Sequence, residues 1–118
     1  MKSLSLAILA LLTTLPAVAA EPETIQGGCT VFRLDPAEAI LPPTPFQLAI
    51  NESKVVYKEG NVEYVVTPQN WKVNGGKYKI ALDMKIQRDG AILAHSVALK
   101  NFELVLTADK SLPGITCW

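Results

Sequence analysis

The chain has 118 residues, with 11 basic and 11 acidic side chains and a formal net charge of zero. A balanced charge gives no bulk attraction to nucleic acid, and this length suits one small domain with one core rather than two. A single histidine and two cysteines leave too few ligands for a zinc site.

Residues 1–20 have the three parts of a secretory signal peptide. Lys2 supplies a charged start, residues 4–15 form an apolar run, and Pro16 to Ala20 end in small residues that suit cleavage. The apolar run is too short for a membrane-spanning helix, and no later stretch approaches that length. We therefore expect residues 21–118 to form one exported domain, secreted or periplasmic, without a membrane span.

Cys29 and Cys117 are the two cysteines, near opposite ends of this expected domain. Because export leads to an oxidising compartment, they predict one intramolecular disulfide. The missing C-x-x-C spacing argues against a redox or metal-binding thiol pair. A bond to a partner chain is the remaining alternative.

The segment after Cys29 predicts a strand, a turn and an extended connector. Residues 30–34 are rich in strand formers, and residues 35–40 could form one helical turn. The prolines of residues 42–45 exclude a helix and favour a stiff connector. Residues 46–50 then alternate between apolar and polar, as a strand does.

Asn51-Glu52-Ser53 matches the acceptor pattern for N-glycosylation and lies in a turn-like position. Modification of Asn51 would require a eukaryotic secretory pathway. We therefore treat Asn51 as a candidate site for such a host only.

A first hairpin is predicted around Gly60-Asn61, where the leading glycine suits a type II′ turn. A two-residue loop places Lys58 opposite Glu63 and Tyr57 opposite Tyr64, a charge pair and an aromatic pair. Pro68 is expected to end the second strand, and residues 71–73 are expected to form a separate short one.

A longer hairpin around Asp89-Gly90 organises the rest of the chain. Its first strand, residues 78–87, alternates apolar and polar positions, and Asp-Gly is the typical pair for a type I′ turn. A two-residue loop predicts Ile86 opposite Leu93 and Met84 opposite His95.

The apolar positions change parity after Leu99, which predicts a turn or bulge at Lys100-Asn101. Residues 112–114 predict a last turn, and residues 115–118 then close against the first strand. These seven or eight strands predict an all-β fold, an antiparallel sandwich that is immunoglobulin-like in the broad sense, with one disulfide. A small β-barrel is the alternative.

The inventory of chemical groups is small. His95 is the only histidine, and on the predicted apolar face we expect it to be mostly buried. A Met84–His95 pair could hold Cu(I), but it lacks the additional ligands that tight binding needs. The hydroxyls of Ser53, Ser96 and Ser111 show no arrangement typical of a catalytic triad. We expect no enzymatic activity, no cofactor and no metal site.

Basic residues are concentrated between Trp71 and Arg88. This segment contains one acidic residue, Asp83, and five basic residues: Lys72, Lys77, Lys79, Lys85 and Arg88. The odd-numbered lysines should share the solvent face of one strand. They are a candidate contact surface for a protein partner that has an acidic surface. Alternatively, the lysines only keep an exposed sheet face soluble.

A small exported binding protein without catalytic activity fits these features best, most readily a protein-binding module such as an inhibitor, an immunity protein, an assembly chaperone or a secreted effector. A domain of this size has little interior for a core and a large ligand cavity together. The alternatives are a carrier of a small apolar or anionic ligand, and a structural subunit of a cell-envelope or surface assembly.

Overall fold

The computed structural model describes residues 23–34 and 36–118. The predicted signal peptide lies outside these residues. These residues contain eight strands: β1 (Thr24–Leu34), β2 (Ala37–Ala49), β3 (Lys54–Glu59), β4 (Val62–Lys72), β5 (Tyr78–Arg88), β6 (Ala91–Leu99), β7 (Leu104–Leu106) and β8 (Gly114–Cys117). One short 3-10 turn, Asn74–Gly76, interrupts them. No helix in the described part of the chain is long and apolar enough to cross a membrane.

The strands form two antiparallel sheets of four. The first sheet has the order β2-β1-β8-β7, and the second sheet has the order β3-β4-β5-β6. Two separate sheets in a sandwich-like arrangement confirm the predicted fold class. The chain passes from the second sheet to the first at the predicted turn, where Asn101 has a positive φ of 75°.

The core lies between the two sheets and is built from alternate strand positions. Between residues 62 and 68 of β4 and between residues 82 and 86 of β5 the even-numbered residues point inward, among them Tyr64, Val66, Met84 and Ile86. The first sheet contributes Val31, Phe46, Leu48, Leu106 and Ile115. Burying these side chains from both inner faces is what holds the sheets together.

The predicted disulfide is confirmed. Cys29 of β1 and Cys117 of β8 lie directly opposite each other, with their Cα atoms 4.1 Å apart and both side chains in the core. The bond therefore joins neighbouring strands of the first sheet and closes β8 against β1, as the sequence predicted.

The proline segment is part of β2, so the predicted connector and the helical turn before it are wrong. Prolines are tolerated here because β2 is an edge strand and pairs with β1 on one side only. The ladder is also irregular at this point, since Cys29 pairs with Thr44 whereas Val31 pairs with Leu41. Pro42 and Pro43 fall inside that irregularity.

Pro68 does not end its strand either, because β4 runs unbroken to Lys72. Pro68 pairs with Leu82 of β5 and is buried. Its carbonyl accepts a hydrogen bond from the Asn51 N–H at 2.7 Å. This is the side of β4 that β3 covers only as far as Val66, the partner of Lys54. The missing proline N–H faces that same side, so no ladder hydrogen bond is lost.

The two hairpins differ in how well the sequence predicted their register. In the β3–β4 hairpin Tyr57 faces Tyr64 and Lys58 faces Glu63, which confirms the prediction. The two tyrosine rings meet edge to face with centroids 5.4 Å apart. In the β5–β6 hairpin Asp89 and Gly90 form the expected turn with positive φ, but the register shifts between Gln87 and Ile86.

Leu93 is the additional residue at that shift, a β-bulge that moves the following part of β6 by one position. Ile86 therefore pairs with Ala94 instead of Leu93, and His95 faces Lys85 instead of Met84. The predicted pairing of Met84 with His95 is wrong for this reason. Met84 points into the core, while His95 is on the opposite face of the second sheet.

Candidate functional site

The outer face of the second sheet carries the groups that sequence analysis singled out. The odd positions of β5 point to this face, including Lys79, Asp83 and Lys85. Strand pairing adds Trp71 from β4 opposite Lys79 and His95 from β6 opposite Lys85. This face is accessible to a partner, whereas the inner face is covered by the core.

The five predicted basic residues do not form one cluster. Lys72, Lys77 and Lys79 lie together at the β4–β5 connection. Lys85 is half-buried in the middle of β5, and Arg88 ends that strand. At about 3.3 Å per strand residue, Arg88 is roughly 30 Å from Lys79.

A group of cations and exposed aromatic rings lies at the β4–β5 connection and the turn after β6. We call it the basic end and define it by Trp71, Lys72, Lys77, Tyr78, Lys79, Lys100 and Phe102. The side chains of Tyr78 and Phe102 are 65% and 66% exposed, and Trp71 is 43% exposed. Glu103, which follows Phe102, is the acidic residue nearest to this group along the chain.

A groove runs through the basic end, with a volume of about 360 Å³. Its apolar lining comes from Ile80 and Leu99, and its cations are Lys79 and Lys100. Tyr78 and Phe102 line it as well. Apolar surface beside ammonium groups suits a ligand that has both an apolar and an anionic part.

Two turns build the basic end. The Val73 N–H donates to the Lys77 carbonyl at 2.8 Å and closes the β4–β5 connection, where Gly75 and Gly76 have φ of 88° and 79°. The second turn follows β6. There the Lys100 N–H donates to the Ile80 carbonyl at 2.8 Å, which holds Lys100 beside the start of β5.

Sequence analysis missed Lys100 and the aromatic members of this group. The signal was present, because the predicted turn at Lys100-Asn101 follows directly from a strand that pairs with residues 78–87. Extending that pairing by one position would have placed Lys100 next to Lys79.

His95 is not mostly buried, as expected from the sequence, but is on the outer face with its side chain 45% exposed. Its Nε2 lies 2.9 Å from Oδ2 of Asp83, and Asp83 itself is only 6% exposed. The other carboxylate oxygen of Asp83, Oδ1, is buried without a hydrogen-bond partner. Because Met84 is on the other face of the sheet, Met84 and His95 cannot share a copper ion.

The hydroxyl groups considered for a catalytic triad are engaged elsewhere. Ser53 Oγ and Thr67 Oγ1 are 2.6 Å apart, Ser111 bonds Asp109, and Ser96 is on the core side of β6. None of the three is hydrogen-bonded to His95. The expectation that the chain has no enzymatic activity stays a prediction.

A second concave surface lies at the opposite end of the sandwich. This cavity of about 460 Å³ is lined by Arg33, Leu34, Thr107, Asp109, Lys110, Leu112 and Gly114. Arg33 is paired there with Glu59 of β3 at 3.3 Å. Hydrogen bonds from Ser111 lower the pKa of the Asp109 carboxyl, and the nearby charge of Arg88 adds to the effect. Arg88 therefore belongs to this end and not to the basic end.

Asn51, the candidate glycosylation site, is exposed in the turn after β2 with a φ of 69°. Its modification stays a prediction. Within residues 23–34 and 36–118, no group of three or more His, Cys, Asp or Glu side chains could hold a metal ion. No protein-family model, curated protein or solved structure matches the chain.

Proposed function

We propose that this chain is an exported, non-catalytic protein-binding module that recognises an acidic surface of its partner through the basic end. One observation carries the proposal: Lys79, Lys100 and the exposed rings of Tyr78 and Phe102 line one apolar groove. Strand pairing adds Trp71 and Lys72 beside it, opposite Lys79 and Tyr78. The Cys29–Cys117 bond supports export, because disulfides persist in oxidising compartments.

The two kinds of side chain have complementary roles in this proposal. Tyr78 and Phe102 supply large apolar areas that gain free energy when a partner covers them, as aromatic anchors of interfaces do. The lysines raise the rate of encounter with an acidic surface and select against basic partners. Exposed charges of this kind affect association more than the final affinity.

The test compares two double charge reversals that change net charge equally. Lys77→Glu with Lys79→Glu alters the basic end, whereas Lys54→Glu with Lys110→Glu alters exposed lysines elsewhere. Each protein is used as bait in an extract of its native compartment, and captured proteins are identified by mass spectrometry. We expect the wild type and the control to retain an acidic partner that the basic-end variant loses.

Association kinetics with that partner then provide the second measurement. The basic-end variant should associate about tenfold more slowly at low ionic strength, and the difference should shrink as salt rises. Equal capture and equal rates for both variants would contradict the proposal. Retention on anionic vesicles without any captured protein would instead indicate a lipid surface, and would also contradict it.

A further inference from the structure

The two sheets have four edge strands, and three of them are protected against pairing with another chain. β3 carries the charges of Lys54, Lys58 and Glu59. β2 contains three prolines, and β7 has only three residues. Charges, prolines and short length are the usual means by which proteins prevent strand addition at a sheet edge.

β6 is the exception. Its nine residues, AILAHSVAL, include no lysine, arginine, aspartate, glutamate or proline. It is paired on one side only, with β5. Ile92 and Leu93 are 50% and 37% exposed, and after the bulge at Leu93 the strand is regular from Ala94 to Leu99.

Every second residue of β6 directs its backbone N–H and C=O groups toward the unpaired edge of the sheet. The hydrogen bond from Lys100 N–H to the Ile80 carbonyl fixes which residues bond to β5, since bonded and non-bonded pairs alternate in an antiparallel ladder. Ala94, Ser96 and Ala98 therefore bond to β5. The N–H and C=O groups of His95 and Val97 point away from it, and no strand in the described part of the chain pairs with them.

We propose that β6 pairs antiparallel with β6 of a second copy of this chain, around a two-fold axis at Ser96. In that register His95 and Val97 of one copy exchange backbone hydrogen bonds with Val97 and His95 of the other, and Ala94 lies opposite Ala98. The result is a continuous sheet of eight strands.

Self-pairing is favoured because the strand is uncharged and its faces match under the two-fold rotation. Small residues, Ala94, Ser96 and Ala98, meet their counterparts on the inner face, and no like charges meet along the seam. The nearest lysine along the chain, Lys100, is just beyond the strand. Antiparallel pairing keeps the two Lys100 side chains roughly 25 Å apart.

The dimer should be weak and dependent on concentration. One strand-to-strand seam buries less surface than the roughly 1,200 Å² that marks the lower limit of standard interfaces. Lys72, Lys77 and Lys79 are not in the seam, whereas Leu99 and Lys100 of the groove lie at its end. Lys77→Glu with Lys79→Glu therefore changes the basic end and leaves the seam residues unchanged.

Analytical ultracentrifugation of the purified, disulfide-intact protein from about 1 μM to about 1 mM tests the inference, with dissociation in the micromolar range expected. Val97→Lys introduces a charge at the open edge and should weaken dimerisation at least about tenfold. Val55→Lys is the matched control, because it makes the same change on the same face at the other edge of the sheet, and it should leave dimerisation unchanged.

A cross-link tests the register. Ser96→Cys places two thiols opposite each other at the two-fold axis, where a pair that is not hydrogen-bonded brings the Cα atoms about 4.5 Å apart, within disulfide range. Oxidation should give a covalent dimer through residue 96, identified by mass spectrometry, whereas Val55→Cys should not. A protein that remains monomeric at every concentration overturns the inference, as does equal weakening by Val97→Lys and Val55→Lys.

Discussion

Asp83 and His95 are joined across the β5–β6 ladder by a 2.9 Å contact between Oδ2 and Nε2. They are diagonal neighbours, because Asp83 pairs directly with Val97 and His95 with Lys85. The bulge at Leu93 creates this relationship by moving His95 from the core face to the outer face. Asp83 is almost fully buried, so His95 is the group that offsets part of the cost of burying its carboxylate.

Removing His95 should therefore destabilise the fold. We expect His95→Ala to lower the free energy of unfolding by about 1–2 kcal/mol, since it leaves Asp83 without this hydrogen bond. The His95 side chain is 45% exposed. Solvent screening therefore keeps the expected loss at the low end of the range for hydrogen bonds to charged groups. A double-mutant cycle with Asp83→Ala, measured by urea unfolding, should give a coupling of about 1 kcal/mol.

The pair of Lys58 and Glu63 is the control for this cycle. These side chains also face each other across a ladder, but they are 4.0 Å apart and more exposed. Their coupling should be below about 0.5 kcal/mol. If the Asp83–His95 coupling is no larger than this, His95 does not stabilise the buried carboxylate.

Tyr64 links the second sheet to the segment before β8. Its buried hydroxyl donates to the Pro113 carbonyl at 2.6 Å, and burial raises its pKa to about 12. An unfolded tyrosine ionises near pH 10. Between these values the unfolded state releases a proton that the native state keeps, so the free energy of unfolding should fall as pH rises from about 10 to about 12.

Tyr64→Phe tests this interpretation at both ends of the pH range. At pH 7 it should lower stability by about 1–3 kcal/mol, because the Pro113 carbonyl loses its buried donor. Between pH 10 and 12 the variant should lose less stability than the wild type, as measured by urea unfolding in a pH series. Tyr78→Phe, at a side chain 65% exposed, is the control. An unchanged alkaline slope in Tyr64→Phe would show that other groups cause it.

Local sequence signals were sufficient to predict the register of the β3–β4 hairpin but not that of the β5–β6 hairpin. Glycine at the first turn position and the Tyr57–Tyr64 pair both favour the same register, and no other feature opposes it. The β5–β6 turn was predicted equally well. However, a bulge two residue pairs beyond the turn has no clear composition signal, and it reversed the side of the sheet on which His95 lies.

The strand positions of the prolines were not predictable from the sequence, because tertiary context decides whether a missing N–H matters. Pro68 is in a strand because its ring nitrogen faces the side of β4 that has no partner strand there, and Pro42 is in a strand because it falls inside the irregular part of the β1–β2 ladder. The candidate site was predictable in part. Lys77 and Lys79 are neighbours in sequence, but Lys100 and Phe102 reach the basic end only through the β6 turn.

The Cys29–Cys117 bond closes a long loop, so its removal should be costly. Cys29→Ala with Cys117→Ala is expected to lower the free energy of unfolding by roughly 2–5 kcal/mol, mainly because the unfolded chain gains freedom. Urea unfolding provides the measurement, and the wild type unfolded under reducing conditions is the control. The reduced wild type and the double variant should have similar stability. A much less stable variant would indicate that packing of the two side chains dominates instead.

Gly28 provides the last prediction, because the Trp118 indole packs where a side chain at position 28 would be. The backbones of Gly28 and Trp118 exchange two hydrogen bonds, at 3.0 and 2.9 Å. A Cβ atom on Gly28 would lie 2.7 Å from Cζ2 of the indole and 3.1 Å from the Thr44 carbonyl oxygen. Gly28→Ala should therefore destabilise the protein by about 1–3 kcal/mol, the usual range for overpacking. Gln26→Ala, at an exposed position of β1, should change stability little.

In the background of Trp118→Ala, the cost of Gly28→Ala should be smaller but not zero, because the Thr44 contact remains. Urea unfolding of the four proteins of this cycle measures the coupling, and an equal cost with and without the indole would mean that Trp118 is not what requires glycine at position 28.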